Sequence, residues 1–520
     1  MNLIELVLSL LARSTDGLLL MGGTLVVTFL LLSRRPSTVA RIDRFAIFLV
    51  RKGFGRLQYS TSVAIAVRIL VGTVLVTRAA LNLVFSGGIQ TFEGSVFLLE
   101  IVAGLFLVLG LCTQWAILFF VIVDIPVLVP ATGWGSVSND VLVMVLIALF
   151  LLQSGRTASL DERIQNKYPG NSFRRWFLYD WNLSERGVAL VKFTALLTYG
   201  LLSFYSVTMH LSDPAWLNGS AGPLLLTNQF MSPLADEIAN LAGSSPLIVH
   251  LLRISMWVQI AWFISLIWLP LVSDAGRYFT IAWGWVFFIA SATALSLGFT
   301  AAFEILLWFL IFGLFPQDSR GHHESLAKAK INLASDETTA TSRSPVVKIH
   351  ITFFAAVILA GLFYLATIPL PFAPSGLLPG NLGSKSASLW GLEHIDVFNE
   401  TDLKMRENIF VIRDKSSGQV LPVFNEDGSR GYVLSSPRNY FGKGLPIVRG
   451  EIYRSGCGID RNSELIASLA RDYYRFSNSK FPEVVSVTHL KHPSPSTEEI
   501  LEGRYIESRV SLICEADVEL

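Results

Sequence analysis

Five charged side chains stand inside stretches that are otherwise almost wholly apolar: Arg78, Glu100, Asp124, Arg253 and Glu304. Carboxylates and guanidinium groups in such places can pair, move a proton, or grip a polar group of a substrate. Alone they are costly, since an isolated charge in the middle of a hydrocarbon layer costs roughly 2.5 kcal/mol or more. Two further titratable residues, Asp140 and His210, stand where apolar stretches begin or end. Glu100, Asp124, Asp140 and His210 are the groups expected to carry acid–base chemistry. Arg78, Arg253 and Glu304 are expected to line the same pocket. The other possibility is an ion-pair network that only fixes helix packing; in both cases the charges face the interior of a helix bundle.

The elements that position them follow from composition. The chain has 520 residues, of which 52% are hydrophobic and 16% charged, and its mean hydropathy is +0.52. Those values belong to a polytopic membrane protein and exclude an ordinary soluble fold. Crossing a hydrocarbon core takes roughly 20 apolar residues. Such runs lie near 15 to 33, 62 to 85, 94 to 111, 115 to 131, 139 to 154, 187 to 208, 246 to 271, 279 to 298, 300 to 315 and 349 to 369. The expected fold is therefore a polytopic α-helical bundle of about ten transmembrane helices.

Net charge is +1, but lysine and arginine are unevenly placed. Arg34, Arg35, Arg41, Arg44, Arg51, Lys52 and Arg56 crowd the first long loop. Further basic groups fill residues 155 to 186 and 316 to 348. The positive-inside rule puts all three loops in the cytoplasm, which ten spans achieve when the N-terminus and the C-terminal part lie outside. The N-terminal stretch lacks a basic start, is interrupted by Arg13 and Asp16, and is followed after the first span by Arg34 and Arg35, so it reads as a retained anchor. With that topology Arg78, Glu100, Asp124 and Arg253 share one layer, ~10 Å below the outer surface at 1.5 Å per residue, with Glu304 slightly shallower. The layer exists only if Arg78 and Glu100 are close in space. Arg68 and Lys192, near cytoplasmic ends, are expected to snorkel.

Composition shifts divide the chain into an N-terminal anchor and basic loop (1–60), the main bundle (61–315), a Ser/Thr-rich cytoplasmic linker (316–348), a last span (349–369), a second linker (370–387) and an extracytoplasmic α+β domain (388–520). In that domain strands are expected near Ile409–Ile412, Gln419–Phe424, Tyr432–Ser435, Ile447–Arg454, Val484–Leu490 and Tyr505–Cys514, with an amphipathic helix near Ser463–Phe476. Cys457 and Cys514 are its two cysteines, either a disulfide or two buried thiols. No residues have the spacing of a metal site or of a phosphate-cradling loop, no nucleic-acid motif is present, and nothing names a cofactor.

The turn Gly110-Leu-Cys-Thr113 after Glu100, a span framed by Ser138-Asn139-Asp140 and Ser159-Leu160-Asp161, and an apolar helix ending at His210 and followed by Trp216, Asn218 and Gly219 occur in that order along the chain. In this, residues 60 to 315 resemble the horizontally transferred transmembrane family, which includes the vitamin K-dependent gamma-carboxylases. The resemblance implies a helical bundle with a site facing outward. In the carboxylases a lysine before the Trp-Gly loop acts as base on vitamin K hydroquinone, with a histidine beside it. Here those positions carry His210, or Met209, and Asp140. An imidazole with pKa near ~6.5 cannot replace a desolvated lysine as base, so gamma-carboxylation is not implied. The last span and its external domain, with Trp390-Gly-Leu392, Asn439-Tyr-Phe-Gly442 and Arg449-Gly-Glu451, are similar to the small partner protein of the sporulation-delaying peptide system.

Two functions from different classes are expected on this basis. The bundle modifies or matures a substrate at its outer leaflet, the substrate being a membrane lipid, a quinone or a secreted peptide. Alternatively it is a non-catalytic binding or immunity protein of a peptide-toxin system, its charges holding helices together.

Overall fold

The structure is a computed structural model and describes residues 24–28, 30, 41, 44, 48, 61–85, 92–128, 138–155, 157–167, 185–227, 232–295, 299–313, 345–365, 408–421, 467, 482–491 and 511–520. Helices α1 (Thr61–Phe85) and α2 (Phe92–Leu109) form a tight hairpin. Small residues bring the backbones together: a Cβ on Gly72 would lie 2.8 Å from Val108 Cγ2, and one on Gly104 2.8 Å from Val76 Cγ2. On its exposed side α1 carries Thr73 and Thr77, whose hydroxyls donate to the carbonyls of Ile69 and Thr73 four residues back, so neither needs a partner outside the helix.

After a turn at Gly110, α3 (Thr113–Leu118) continues into a ten-residue π-helical segment, Phe119–Leu128. The span expected at 115 to 131 is thus wound more widely than an α-helix for most of its length. Pro126 lies inside it and has no N–H to give a ladder. Helices α4 (Ser138–Leu151), α6 (Glu185–His210) and α13 (Thr300–Phe312) form the centre, and their apolar side chains are almost all buried. Between α4 and α6 lies the short polar α5 (Leu160–Lys167).

Beyond α6 come the short α7 (Pro214–Leu217), α8 (Ala221–Thr227) and α9 (Ala235–Ser244), then α10 (Pro246–Ser265), α11 (Leu269–Val272) and α12 (Asp274–Ala294). The single span expected at 246 to 271 is broken after Ser265. Pro270 would leave the carbonyl of Leu266 without its helical donor, and the chain turns there. Helix α12 accordingly starts at Asp274, earlier than the predicted 279, with Ser273 capping the Gly276 N–H at 2.9 Å. An aromatic cluster of Tyr199, Trp262, Phe288 and Trp308 locks α6, α10, α12 and α13 together. Its two indoles donate to the carbonyls of Thr280 and Ile281, at 3.2 and 3.1 Å. The last helix, α14 (Pro345–Leu365), runs parallel to α6: Phe193 meets Phe354, and the Tyr205 hydroxyl donates to the Gly361 carbonyl.

Two arginines stitch α1 to its neighbours. Arg68, expected to snorkel, is instead buried, with its terminal nitrogens donating to the carbonyls of Ser154 (2.6 Å) and Ala158 (2.9 Å) in the turn between α4 and α5. From the first turn of α5, Asp161 accepts from the backbone N–H groups of Cys112 and Thr113, at 2.8 and 3.0 Å, capping α3. The Asp161 N–H in return donates to the Gly110 carbonyl at 2.9 Å. The last carbonyls of a helix have no intrahelical donor, and the guanidinium supplies one. Lys192, also expected to snorkel, is buried on α6.

By length and composition three helices could cross a membrane, Ser62–Leu83, Gly187–Thr208 and Pro246–Ser265. Five shorter apolar helices accompany them among the described residues, at Gly94–Leu109, Thr113–Ile125, Ser138–Leu151, Thr300–Phe312 and Ile349–Tyr364. Of the expected first span, Leu25 packs against the cluster around Tyr205 and Tyr364.

The C-terminal part contains a three-stranded antiparallel sheet, β1 (Asn408–Asp414), β2 (Val484–Lys491) and β3 (Ser511–Glu519), in that spatial order. Val485, Val487 and His489 alternate onto one buried face. The third strand starts later than the predicted 505 to 514 and runs to Glu519. Val420 makes a bridge to Arg413, at the start of the strand expected at Gln419–Phe424. The strands expected at Tyr432–Ser435 and Ile447–Arg454 lie outside the described residues. So do Cys457, the linker expected at 370–387 and that at 316–348 up to residue 344, its last four residues being the start of α14, as well as the Ser463–Phe476 helix apart from helical Ala467.

Candidate functional site

Arg78, on α1, gathers side chains from three other elements. Its Nη2 lies 3.3 Å from Glu100 Oε2 on α2 and 3.6 Å from Asp124 Oδ2 on the π-helical segment. Its Nη1 donates to Asn139 Oδ1, in the first turn of α4, at 3.3 Å. The cluster is closed: the Arg78, Glu100 and Asp124 side chains are 9%, 2% and 0% exposed. Glu100 and Arg78 are thus neighbours, as the layer requires.

The four partners come together for local reasons. The glycine contacts bring α1 and α2 close enough for a guanidinium to reach a carboxylate directly. The π-helical winding, which often marks functional sites, presents Asp124 inward while Ile122 and Val123 remain exposed. At the start of α4, Asn139 and Asp140 are adjacent; Asn139 turns to Arg78, and Asp140 is half-buried.

Asp124 is the unusual member. No N–H or O–H donor reaches either of its oxygens, and Arg78 Nε also lacks an acceptor. Its near neighbour is the Glu100 carboxyl. Asp161, at the opposite end of α1, has both oxygens occupied by backbone N–H groups. A buried network that serves structure alone is normally satisfied in the way Asp161 is.

The other predicted site residues divide into separate places. Glu304 accepts from the Tyr199 hydroxyl at 2.9 Å inside the aromatic cluster. Arg253 donates through Nε and Nη2 to the Asn218 carbonyl, at 3.1 and 2.8 Å, and stacks over Trp257. The expected single layer is therefore corrected: Arg78, Glu100 and Asp124 meet, whereas Glu304 and Arg253 take partners of their own. Depth along the helix alone had grouped them, and depth says nothing about rotation around the helix axis.

His210 ends α6 and stacks on Trp216, with ring centroids 3.9 Å apart and planes 16° from parallel. The stack is set by a short chain of caps. Asp213 accepts from the Ala215 N–H at 2.7 Å and starts α7, which carries Trp216 back under His210. Asn218 Oδ1 accepts from the Ser220 N–H at 2.8 Å, and Gly219, at φ 77°, lets the chain turn beneath Arg253 and Trp257. The Gly219 position requires glycine, because a side chain there is strained by φ and crowded by Arg253. Cys514 is disulfide-bonded and Cys112 is a free thiol.

Asn139 and Arg68 were not anticipated as site or clasp residues. Asn139 had a signal, since it is the polar residue of a helix start placed level with Arg78; Arg68 had none beyond its charge. Among the described residues no group of three or more His, Cys, Asp or Glu side chains is arranged to hold a metal ion. Comparisons with family models, with curated proteins and with solved structures return no match to this chain.

Proposed function

We propose that this chain is a multi-pass membrane protein whose outward-facing polar cluster acts in the modification or maturation of a lipid, quinone or secreted-peptide substrate. The antiparallel order of α1, α2, α3 with its π-helical extension, α4 and α6 supports alternating passes. It puts Arg78, Asn139 and His210 toward one end and Arg68 toward the other. With α10, α12, α13, α14 and the first apolar run, this reading has ten passes, the sheet domain outside, and a fold like that of the horizontally transferred transmembrane family.

The observation that carries a functional site, in place of a purely structural one, is the pairing of two buried carboxyls, Glu100 and Asp124, beside a single arginine, with no N–H donor on either Asp124 oxygen. Asp124 and Glu100 are the proposed acid–base pair, Arg78 and Asn139 orient them, and His210 and Asp140 lie toward the same end. The test compares small secreted products by mass spectrometry in cells carrying the wild type, D124N or E100Q. A stably inserted variant that no longer changes those products supports the proposal. Products identical with and without the whole protein would sink it.

Burial of the cluster favours the second reading, a binding or immunity protein without catalysis, because a substrate must reach an active site. Protection from a secreted toxic peptide by D124N at the wild-type level, with no product altered, would establish that reading.

A further inference from the structure

We infer that Glu100 and Asp124 together hold one proton, so that the cluster is a protonated carboxylic acid–carboxylate pair beside Arg78. This goes beyond the maturation reading, because a proton can be held there whether or not any substrate is processed.

Charge count and geometry carry the inference. The one guanidinium lies 3.3 Å from the Glu100 carboxyl and 3.6 Å from the Asp124 carboxyl, and all three side chains are buried. With both acids ionised the cluster would keep one uncompensated negative charge, and two adjacent carboxylates in a low-dielectric interior cannot both stay ionised. Arg78 favours Glu100, at hydrogen-bond distance, over Asp124, which it does not reach with a hydrogen bond. The group close enough to bond Asp124 is the Glu100 carboxyl. Two bare carboxylates only repel, whereas one proton between them turns that contact into an O–H···O bond and gives Asp124 the partner it otherwise lacks.

Among the described residues the surroundings supply no second cation. On α1, Arg68 is engaged with carbonyls at the far end. On α4, the residue facing Arg78 is the neutral Asn139, with Asp140 half-buried next to it. On α13, which packs against α1 and α4, the acid Glu304 is engaged by Tyr199. On α6 the basic groups stand elsewhere, His210 stacked on Trp216 and Lys192 eighteen positions earlier. A proton neutralises the cluster without rearranging any of these groups.

Infrared difference spectroscopy of the full-length protein in lipid nanodiscs tests this. At neutral pH the wild type should show the carbonyl stretch of a protonated carboxylic acid, shifted in D2O, and this band should vanish in both D124N and E100Q while persisting in E304Q. Selective 13C labelling of aspartate and glutamate carboxyls in the wild type gives the same assignment without relying on the variants to fold. A band that only E304Q removes, or no protonated band at neutral pH, overturns the proposal.

Discussion

The Arg78 guanidinium stands 3.6 Å from the Asp124 carboxylate, within ion-pair range but outside hydrogen-bond reach. Asp124 thus feels the positive charge without receiving a proton donor from it. The same guanidinium bonds Glu100 and Asn139, and so joins three chain segments, α1, α2 and α4.

Replacing Arg78 by methionine should therefore be the most damaging single change in the cluster. It leaves two buried acids without a counter-charge, a loss expected to reach about 3–5 kcal/mol. D124N removes the excess acid while keeping its shape and should change stability by no more than about 1 kcal/mol. Thermal unfolding in nanodiscs, followed by tryptophan fluorescence, gives the ranking; equal losses in the two variants would contradict it.

At the other end of α1, Asp161→Ala leaves the Cys112 and Thr113 N–H groups without acceptors in a buried turn. The expected cost is about 1–3 kcal/mol. D161N keeps one acceptor oxygen and should recover part of that loss. Faster hydrogen exchange at Cys112 and Thr113, with little change at Asn139, is the local signature to measure.

The α1–α2 crossing should tolerate no side chain at its glycines. Valine at Gly104 would push on Val76 and on the backbone of α1, including the Gly72 carbonyl 3.3 Å from the added Cβ. Expression of folded protein should fall sharply for G104V. G418A, in open space but at φ 72°, should cost only about 1 kcal/mol. Comparable losses for the two would mean that the helices do not pack through their glycines.

In the sheet domain, Asp414 accepts from the hydroxyls of Ser417 and Ser416 and from the Ser416 N–H, at 2.5, 2.7 and 2.8 Å. The Ser417 hydroxyl bond is the main cause that holds its carboxyl down at about 2. An unfolded aspartate titrates near ~3.9. The folded value is the lower one, so the turn is fully stabilised above ~4 and loses that contribution as pH falls toward 2. Protease resistance of the 408–421 hairpin should drop across that window in the wild type and show no such step in D414N.

Much of the cluster was legible because charged residues in apolar runs are few, and counting residues from span ends gives their depth. That was enough to put Arg78, Glu100 and Asp124 into one group, together with Arg253 and Glu304. Rotation was not legible: α4 and α13 are buried on nearly every side, so no apolar stripe marks which way a residue faces. For that reason Glu304 and Arg253 were grouped by depth with a cluster they do not join. Arg68 and Lys192 were misread because a cation near a span end can turn outward or inward with equal ease. What decides for Arg68 is a set of carbonyls ninety residues away that only folding brings near. Nor did the composition of 119–128, an ordinary apolar run, disclose its π-helical winding.

The two arginines of α1 are ten positions apart, about 15 Å along the axis. Both grip the α4 region, Arg78 where α4 begins and Arg68 just past where it ends. A rod pinned at two points cannot slide past its neighbour or roll about its own axis without releasing a pin. The Arg68 pin is held by several backbone groups, the Arg78 pin by side chains alone. Any opening of this part of the bundle must therefore be a swing about the Arg68 end, with the gap widening toward Asp124.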